Sequence, residues 1–114
     1  MDSLKKVSTV LKALSDENRL RIAIMLLERP ICVCEINEIL HIALSTISAH
    51  LKTLKFAGII TDVKDKRWVE YRLTDDKEIR ELLTFIKNNL SNCQIILQDI
   101  EKLSKIDRYT CSNR

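Results

Sequence analysis

At 114 residues, 46% of them hydrophobic, the chain has material for one compact domain, with a core small enough to favour enlargement by dimerisation. No run approaches the roughly eighteen apolar residues of a membrane span, and Met1-Asp2-Ser3-Leu4-Lys5-Lys6 lacks a signal peptide's apolar stretch, so a cytoplasmic protein with no membrane partner is expected. The formal net charge is only +3, and the whole excess lies between Leu44 and Leu73, where six basic residues meet three acidic ones. Such a surface suits phosphate neutralisation, a merely solvated face being the alternative. Four cysteines in a reducing compartment read as metal ligands, redox sensors or buried thiols rather than structural disulfides. Glycine-rich phosphate loops are absent and no nucleophile–base constellation stands out, so an enzyme is not expected.

In chain order, Leu4, Val7, Val10, Leu11 and Leu14 predict a first amphipathic helix ending near Ser15. Ser15 or Asp16 can cap a second helix, whose Leu20, Ile22, Ala23, Ile24, Leu26 and Leu27 are too apolar for a surface helix and predict a central one. Arg29-Pro30 ends it. A short helix from about Val33 to Leu40 follows, then a turn at His41-Ile42-Ala43 and a helix from about Ser45 to Phe56. In the latter, Ile47, Leu51 and Leu54 form one buried stripe and leave Ser45, Thr46, Ser48, Ala49, Lys52 and Lys55 outside. This is a helix-turn-helix pattern, whose second helix enters the DNA major groove.

Gly58 can supply the left-handed cap that ends the helix. Ile59 to Lys64 and Arg67 to Leu73 are β-prone and predict a hairpin whose tip carries Lys64, Lys66 and Arg67, a wing suited to the phosphate backbone or minor groove. Trp68 and Tyr71 are expected to pack the hairpin on the core. Asp75 and Glu78 are spaced as a capping box for one long helix to about Leu103. Along it Ile79, Leu83, Ile86, Leu90, Cys93, Leu97 and Ile100 follow a heptad spacing. That seam calls for a second copy, packing with the first helix (Leu4, Val7, Leu11) in a symmetric homodimer.

The succession Ala13-Leu14-Ser15-Asp16-Glu17-Asn18-Arg19-Leu20-Arg21-Ile22, Ile31-Cys32-Val33-Cys34-Glu35-Ile36, Ser45 to Leu54, Ala57-Gly58-Ile59-Ile60 and Trp68-Val69-Glu70-Tyr71-Arg72-Leu73 resembles the ArsR/SmtB family of metal-sensing repressors. The likeness covers roughly residues 4 to 103. It implies a mainly α (α+β) winged helix-turn-helix with a two-stranded hairpin wing and a long C-terminal dimerisation helix. Residues 1–104 would form one DNA-binding and dimerisation domain and 105–114 a polar tail. It further implies a homodimer that holds double-stranded operator DNA when free of inducer and releases it on binding a metal or metalloid. Ser45, Thr46, Ser48 and His50 would then face DNA.

Ligand chemistry narrows the inducer. The expected dimerisation helix holds no histidine, which argues against a zinc site there, and thiolates select soft ions. Cys32 and Cys34 resemble the family's Cys-Val-Cys-Asp-Leu-Cys signature for As(III) and Sb(III), with relatives for Cd(II) and Pb(II). Glu35 stands for Asp, Ile36 for Leu, and Asn37 in place of the third cysteine. A third sulfur would come from Cys111 or Cys93, although Cys93 also fits a buried hydrophobe at a dimer contact. In a regular helix residues two apart point roughly 200° apart, so gripping one ion requires Cys32 or Cys34 to leave helical geometry. Proximity to a helix N-terminus is expected to lower the pKa of both thiols. A redox or reactive-sulfur sensor of the same fold, joining Cys32 or Cys34 to Cys93 or Cys111 by a disulfide or polysulfide, is the alternative.

Overall fold

The computed structural model describes residues 3–112; the ends of the expected domain and tail, residues 1–2 and 113–114, lie outside them. Helix α1 (Leu4–Leu14) starts at Ser3, whose hydroxyl accepts from the Lys6 amide, and α2 (Glu17–Glu28) starts at Asp16, whose carboxylate accepts from the Arg19 amide. Those contacts satisfy amides that a helix start leaves without carbonyl partners. The run Ile22 to Leu26 is buried throughout, which makes α2 the central helix. Strand β1 (Ile31–Cys32), α3 (Val33–Leu40) and α4 (Leu44–Phe56) follow, then β2 (Ile60–Asp65) and β3 (Trp68–Leu73).

The sheet has three antiparallel strands in the order β1-β3-β2, one more than the expected hairpin. The added strand is short: Ile31 pairs with Tyr71 and Cys32 with Glu70, so the first cysteine is stitched to the wing. At the tip Asp65 pairs with Trp68, and Lys66 takes a left-handed φ of 59°. Gly58, at φ 78°, closes α4 with its own amide on the Lys55 carbonyl and the Ile59 amide on the Leu54 carbonyl.

The C-terminal region departs from the expected single helix. It is divided into α5 (Lys77–Asn88) and α6 (Gln94–Leu103), with turns across 89–93. Asn88-Asn89-Leu90-Ser91-Asn92 is rich in side chains that compete with helical backbone hydrogen bonds, and Asn89 Nδ2 donates back to the Phe85 carbonyl at 2.8 Å. The start of α5 is also one residue later than expected: Asp76, not Asp75, is the cap, accepting from the Glu78 and Ile79 amides. A final short helix, α7 (Arg108–Ser112), is formed by part of the expected tail.

The division redistributes the expected dimer seam. Ile79 and Leu83 are completely buried in the protomer's own core and present nothing to a second copy. Ile86, Leu90, Cys93 and Ile100 are half-buried, as is Val7. Leu97 is exposed, with Leu4 at 88% and Leu11 at 53%, and Phe85 and Ile95 join them as large exposed apolar residues.

Two ion pairs bind α2 to its neighbours. Arg21 holds Asp99 of α6 in a two-pronged contact, both distances 2.8 Å, with Asp99 buried; Lys87 of α5 pairs with Glu28. The α2 cap is testable by itself. Asp16→Ala is expected to lower stability by about 1 kcal/mol in urea unfolding. The hydrogen bond from the Arg19 amide, with lesser help from His50 and Arg19 charges, holds the Asp16 carboxyl below its ordinary 3.8. Its contribution is therefore present above that value and lost as pH falls through the lowered one, so wild type and variant converge in acid.

Candidate thiol site and nucleic-acid interface

The two cysteines of the Cys-Val-Cys motif straddle the junction of β1 and α3. Cys32 is extended, with φ −103° and ψ 163°, and is the N-cap of α3, whereas Cys34 lies in the first helical turn. The departure from helical geometry that a shared ligand requires is thus built in. Glu35 fixes the junction: its Oε1 accepts from the Cys32 amide at 2.9 Å and its Oε2 from Arg29 at 2.6 Å. Arg29 in turn donates to the carbonyls of Leu103 and Ile106, so the junction is tied to the end of α6. The buried Glu35 has its charge paired and its oxygens occupied, as burial of a carboxylate demands.

The third cysteine at this end is Cys111. It forms a disulfide with Cys34 across a sequence separation of 77 and a Cα–Cα distance of 5.8 Å, a span suited to such a bond. The Arg108 carbonyl oxygen lies 3.8 Å from Cys34 Sγ and 3.7 Å from Cys111 Sγ. Among the described residues no three His, Cys, Asp or Glu side chains stand gathered as a preformed ion site. Cys32 and Cys93 are the free thiols.

The expectation of a lowered pKa is corrected for Cys32. Burial pushes its thiol above the ordinary 9.0, and the nearby Arg108 cation offsets only part of that. Cys32 is 3% exposed, so desolvation of the thiolate outweighs the helix N-terminus. Cys93 is placed elsewhere. It is the N-cap of α6 and lines a cavity of about 370 Å³ with Glu17, Asn18, Leu20, Arg21 and Leu90.

Asn37, standing where the family signature has its third sulfur, braces the helix-turn-helix. Its Nδ2 donates to the Ile42 carbonyl at 2.8 Å and its carbonyl accepts from the His41 amide, while His41 turns the chain with a φ of 53°. On α4, Ile47, Leu51 and Leu54 are buried, and Ser45, Thr46, Ser48, Ala49 and Lys52 are exposed on the outer side. His50, expected to face DNA, is turned largely inward. Its side chain is only 13% exposed, with Nδ1 3.3 Å from Arg19 Nη1 and Nε2 3.7 Å from Asp16. Arg19 also donates to the Ala13 carbonyl at the end of α1, so it holds α1, α2 and α4 in register.

Lys64, Lys66 and Arg67 are exposed at the hairpin tip as expected. Arg67 lies over the Trp68 ring, 4.5 Å from its centre. Lys55 pairs with Asp62 at 2.8 Å and so joins the end of α4 to β2. Two residues that periodicity did not single out emerge here, Arg29 and Arg108. Each stands three residues before a cysteine, and the fold adds the contacts of Arg29 with Glu35 and of the Arg108 carbonyl with Cys34.

The description "Bacterial regulatory protein, arsR family" matches residues 16–62, which span α2, the helix-turn-helix and the start of the hairpin. A cadmium resistance regulator CadC homolog of Staphylococcus aureus is 41% identical over 78 residues, covering 68% of this chain and 64% of that protein, just under two thirds of its length. The arsenical resistance operon repressor of Bacillus subtilis is 39% identical over 82 residues, 71% of this chain and 77% of that one. Among solved structures, reduced HlyU from Vibrio cholerae superimposes with a TM-score of 0.71 at 30% identity, covering 79% of this chain and 92% of its own. These relatives are regulators rather than enzymes, and the winged helix-turn-helix is common to the solved structure and this one. The chain belongs to the ArsR family of bacterial regulatory proteins.

Proposed function

We propose that the chain is a homodimeric, DNA-binding transcriptional repressor that leaves its operator when a thiophilic metalloid, As(III) or Sb(III), bridges Cys32, Cys34 and Cys111. The meeting of Cys34 and Cys111 beside the Arg108 carbonyl, at the end of α3 where Cys32 is the cap, supports this reading. In this reading Cys111, on the C-terminal segment, takes the place of the motif's missing third cysteine. Relatives named for arsenical and cadmium resistance support a soft-ion inducer, with Cd(II) or Pb(II) as the alternative ions.

For DNA, Ser45, Thr46, Ser48, Ala49 and Lys52 would enter the major groove, with Lys64, Lys66 and Arg67 on the backbone. His50 would position the helix through Arg19 and Asp16 instead of reading bases. The dimer would use Leu4, Val7, Leu11, Leu97 and Ile100, with Ile86, Leu90 and Cys93 at its margin.

A second reading is favoured by the Cys34–Cys111 bond itself. Here oxidation, instead of an ion, would join α3 to α7 and release the operator. The two readings separate in operator-binding titrations of the reduced protein with arsenite, antimonite, cadmium, lead and zinc, run beside peroxide or polysulfide. Release by arsenite under reducing conditions is expected; release by zinc alone, or only by oxidant, would overturn the metalloid reading.

The ions separate by pH. Cys32 is held above its ordinary value and is protonated near neutrality. Arsenous acid exchanging three hydroxyls for three thiol sulfurs releases three waters and no net proton. A divalent ion displaces a proton from each thiol, so its affinity is expected to rise about tenfold per pH unit for each proton displaced, against a flat profile for arsenite from about pH 6.5 to about pH 8.

A further inference from the structure

Helix α7 has five residues, too few to be stable without docking. It is held at two ends. On one side Cys111 is joined to Cys34 of α3. On the other, Arg108 Nη2 donates to Asp65 at 2.6 Å, Nη1 lies 3.7 Å from Glu70, and the guanidinium stacks on Trp68 with 4.6 Å to the ring centre. Tyr109 meets the same ring edge-on at 4.9 Å. Asp65, Trp68 and Glu70 all belong to the hairpin tip and its returning strand.

We propose that Arg108 is the residue through which the linkage of Cys34 to Cys111 acts on the wing: with the sulfurs joined, α7 clamps the hairpin tip, and with them parted the tip is released. This rests on the thiol switch proposed above and supplies its route to the DNA. The Arg108 carbonyl touches both sulfurs while its side chain grips the hairpin, so one residue spans the distance from bond to wing. The clamp carries an internal cost: Trp68 Nε1 and Arg108 Nη1 are buried without hydrogen-bond partners. Buried donors left unsatisfied oppose docking, so the clamp leans on the covalent tie. The clamped tip holds Arg67 against Trp68 and fixes where Lys64 and Lys66 project. Parting the sulfurs lets the hairpin follow the phosphate backbone, and joining them withdraws it.

Dithiothreitol supplies the reductant for the test. The Cys34–Cys111 bond breaks by thiol exchange, each sulfur gains a hydrogen, and the reagent closes to its cyclic disulfide. Amide hydrogen exchange across residues 60–73 and the emission of Trp68, the one tryptophan, are read in the disulfide and dithiol forms of the full chain. Exchange at the tip is expected to quicken at least about tenfold on reduction, as for a segment losing a docking contact, with a red shift in emission. Arg108→Ala should exchange fast in both forms. Asp65→Asn, which weakens the same contact from the hairpin side, should narrow the difference and serves if Arg108→Ala fails to fold. Equal exchange in the two wild-type forms, or a redox difference that survives Arg108→Ala, would overturn the proposal. If operator affinity changes with thiol state while the hairpin does not, the coupling fails and the switch stands. A hairpin that responds while operator affinity stays constant upholds the coupling and defeats the switch.

Discussion

A protein carrying Cys34→Ser together with Cys111→Ser is expected to hold its operator within about threefold of the reduced wild type and to lose its response to arsenite, the coupling at stake being about 5–150-fold in affinity for a typical effector. The first half follows from where the residues lie. Cys34 is half-buried at the first turn of α3 and Cys111 sits on α7, neither in the hydrophobic core nor on the outer side of α4. Serine keeps nearly the same shape and removes only the sulfur. The second half follows from counting donors. Two of the three proposed sulfur ligands disappear, and losing ligands outright exceeds the roughly 10–100-fold typical of losing a partner that merely supports one. Operator binding measured by anisotropy, with and without arsenite, checks both halves. A double variant that still releases DNA at wild-type arsenite concentrations would remove Cys34 and Cys111 from the site.

Asp99→Ala is expected to cost about 3–5 kcal/mol, a large share of the roughly 5–15 kcal/mol that holds a domain of this kind together. Asp99 is 2% exposed and receives both prongs of Arg21, itself 17% exposed, so truncation leaves a largely buried cation without its carboxylate. The pair joins α2 to α6 across 78 residues, and α6 leads directly to the segment that carries Cys111. Urea unfolding gives the loss. In the Arg21→Met/Asp99→Leu double variant most of it should return, because a buried ion pair costs much of what it returns and an apolar pair fills the same space. A loss below about 0.5 kcal/mol in the single variant, the range of ordinary surface substitutions, would show that the pair does not tie α6 in place.

Much of this architecture was legible because it is local. Asp16 before an apolar run, Gly58 after one, and the alternation on either side of Asp65-Lys66 each act over a few residues, and each does in the structure what its chemistry suggests. The break at 89–93 was hidden by its own regularity. Ile86, Leu90, Cys93 and Leu97 keep heptad spacing straight through it, whereas the Asn and Ser side chains that end α5 carry no periodicity. His50 shows the limit of reading a helix as faces. Its position on α4 left it open to DNA, but Arg19 and Asp16, more than thirty residues earlier, fold it inward. The thiol site was legible as a set of candidates and no further. Cys34 and Cys111 meet across 77 residues of chain, and the Arg108 contacts with Asp65 and Trp68 beside them cross some forty, distances over which no local pattern acts.

Whether bringing these sulfurs together weakens DNA binding can be read on one preparation of the wild-type protein. Its affinity for a single labelled operator duplex is compared between the dithiol form and the same form saturated with arsenite in the presence of reductant. Tight binding by the dithiol form and a loss of about 5–150-fold with arsenite are expected. Equal affinity in the two states would contradict this expectation.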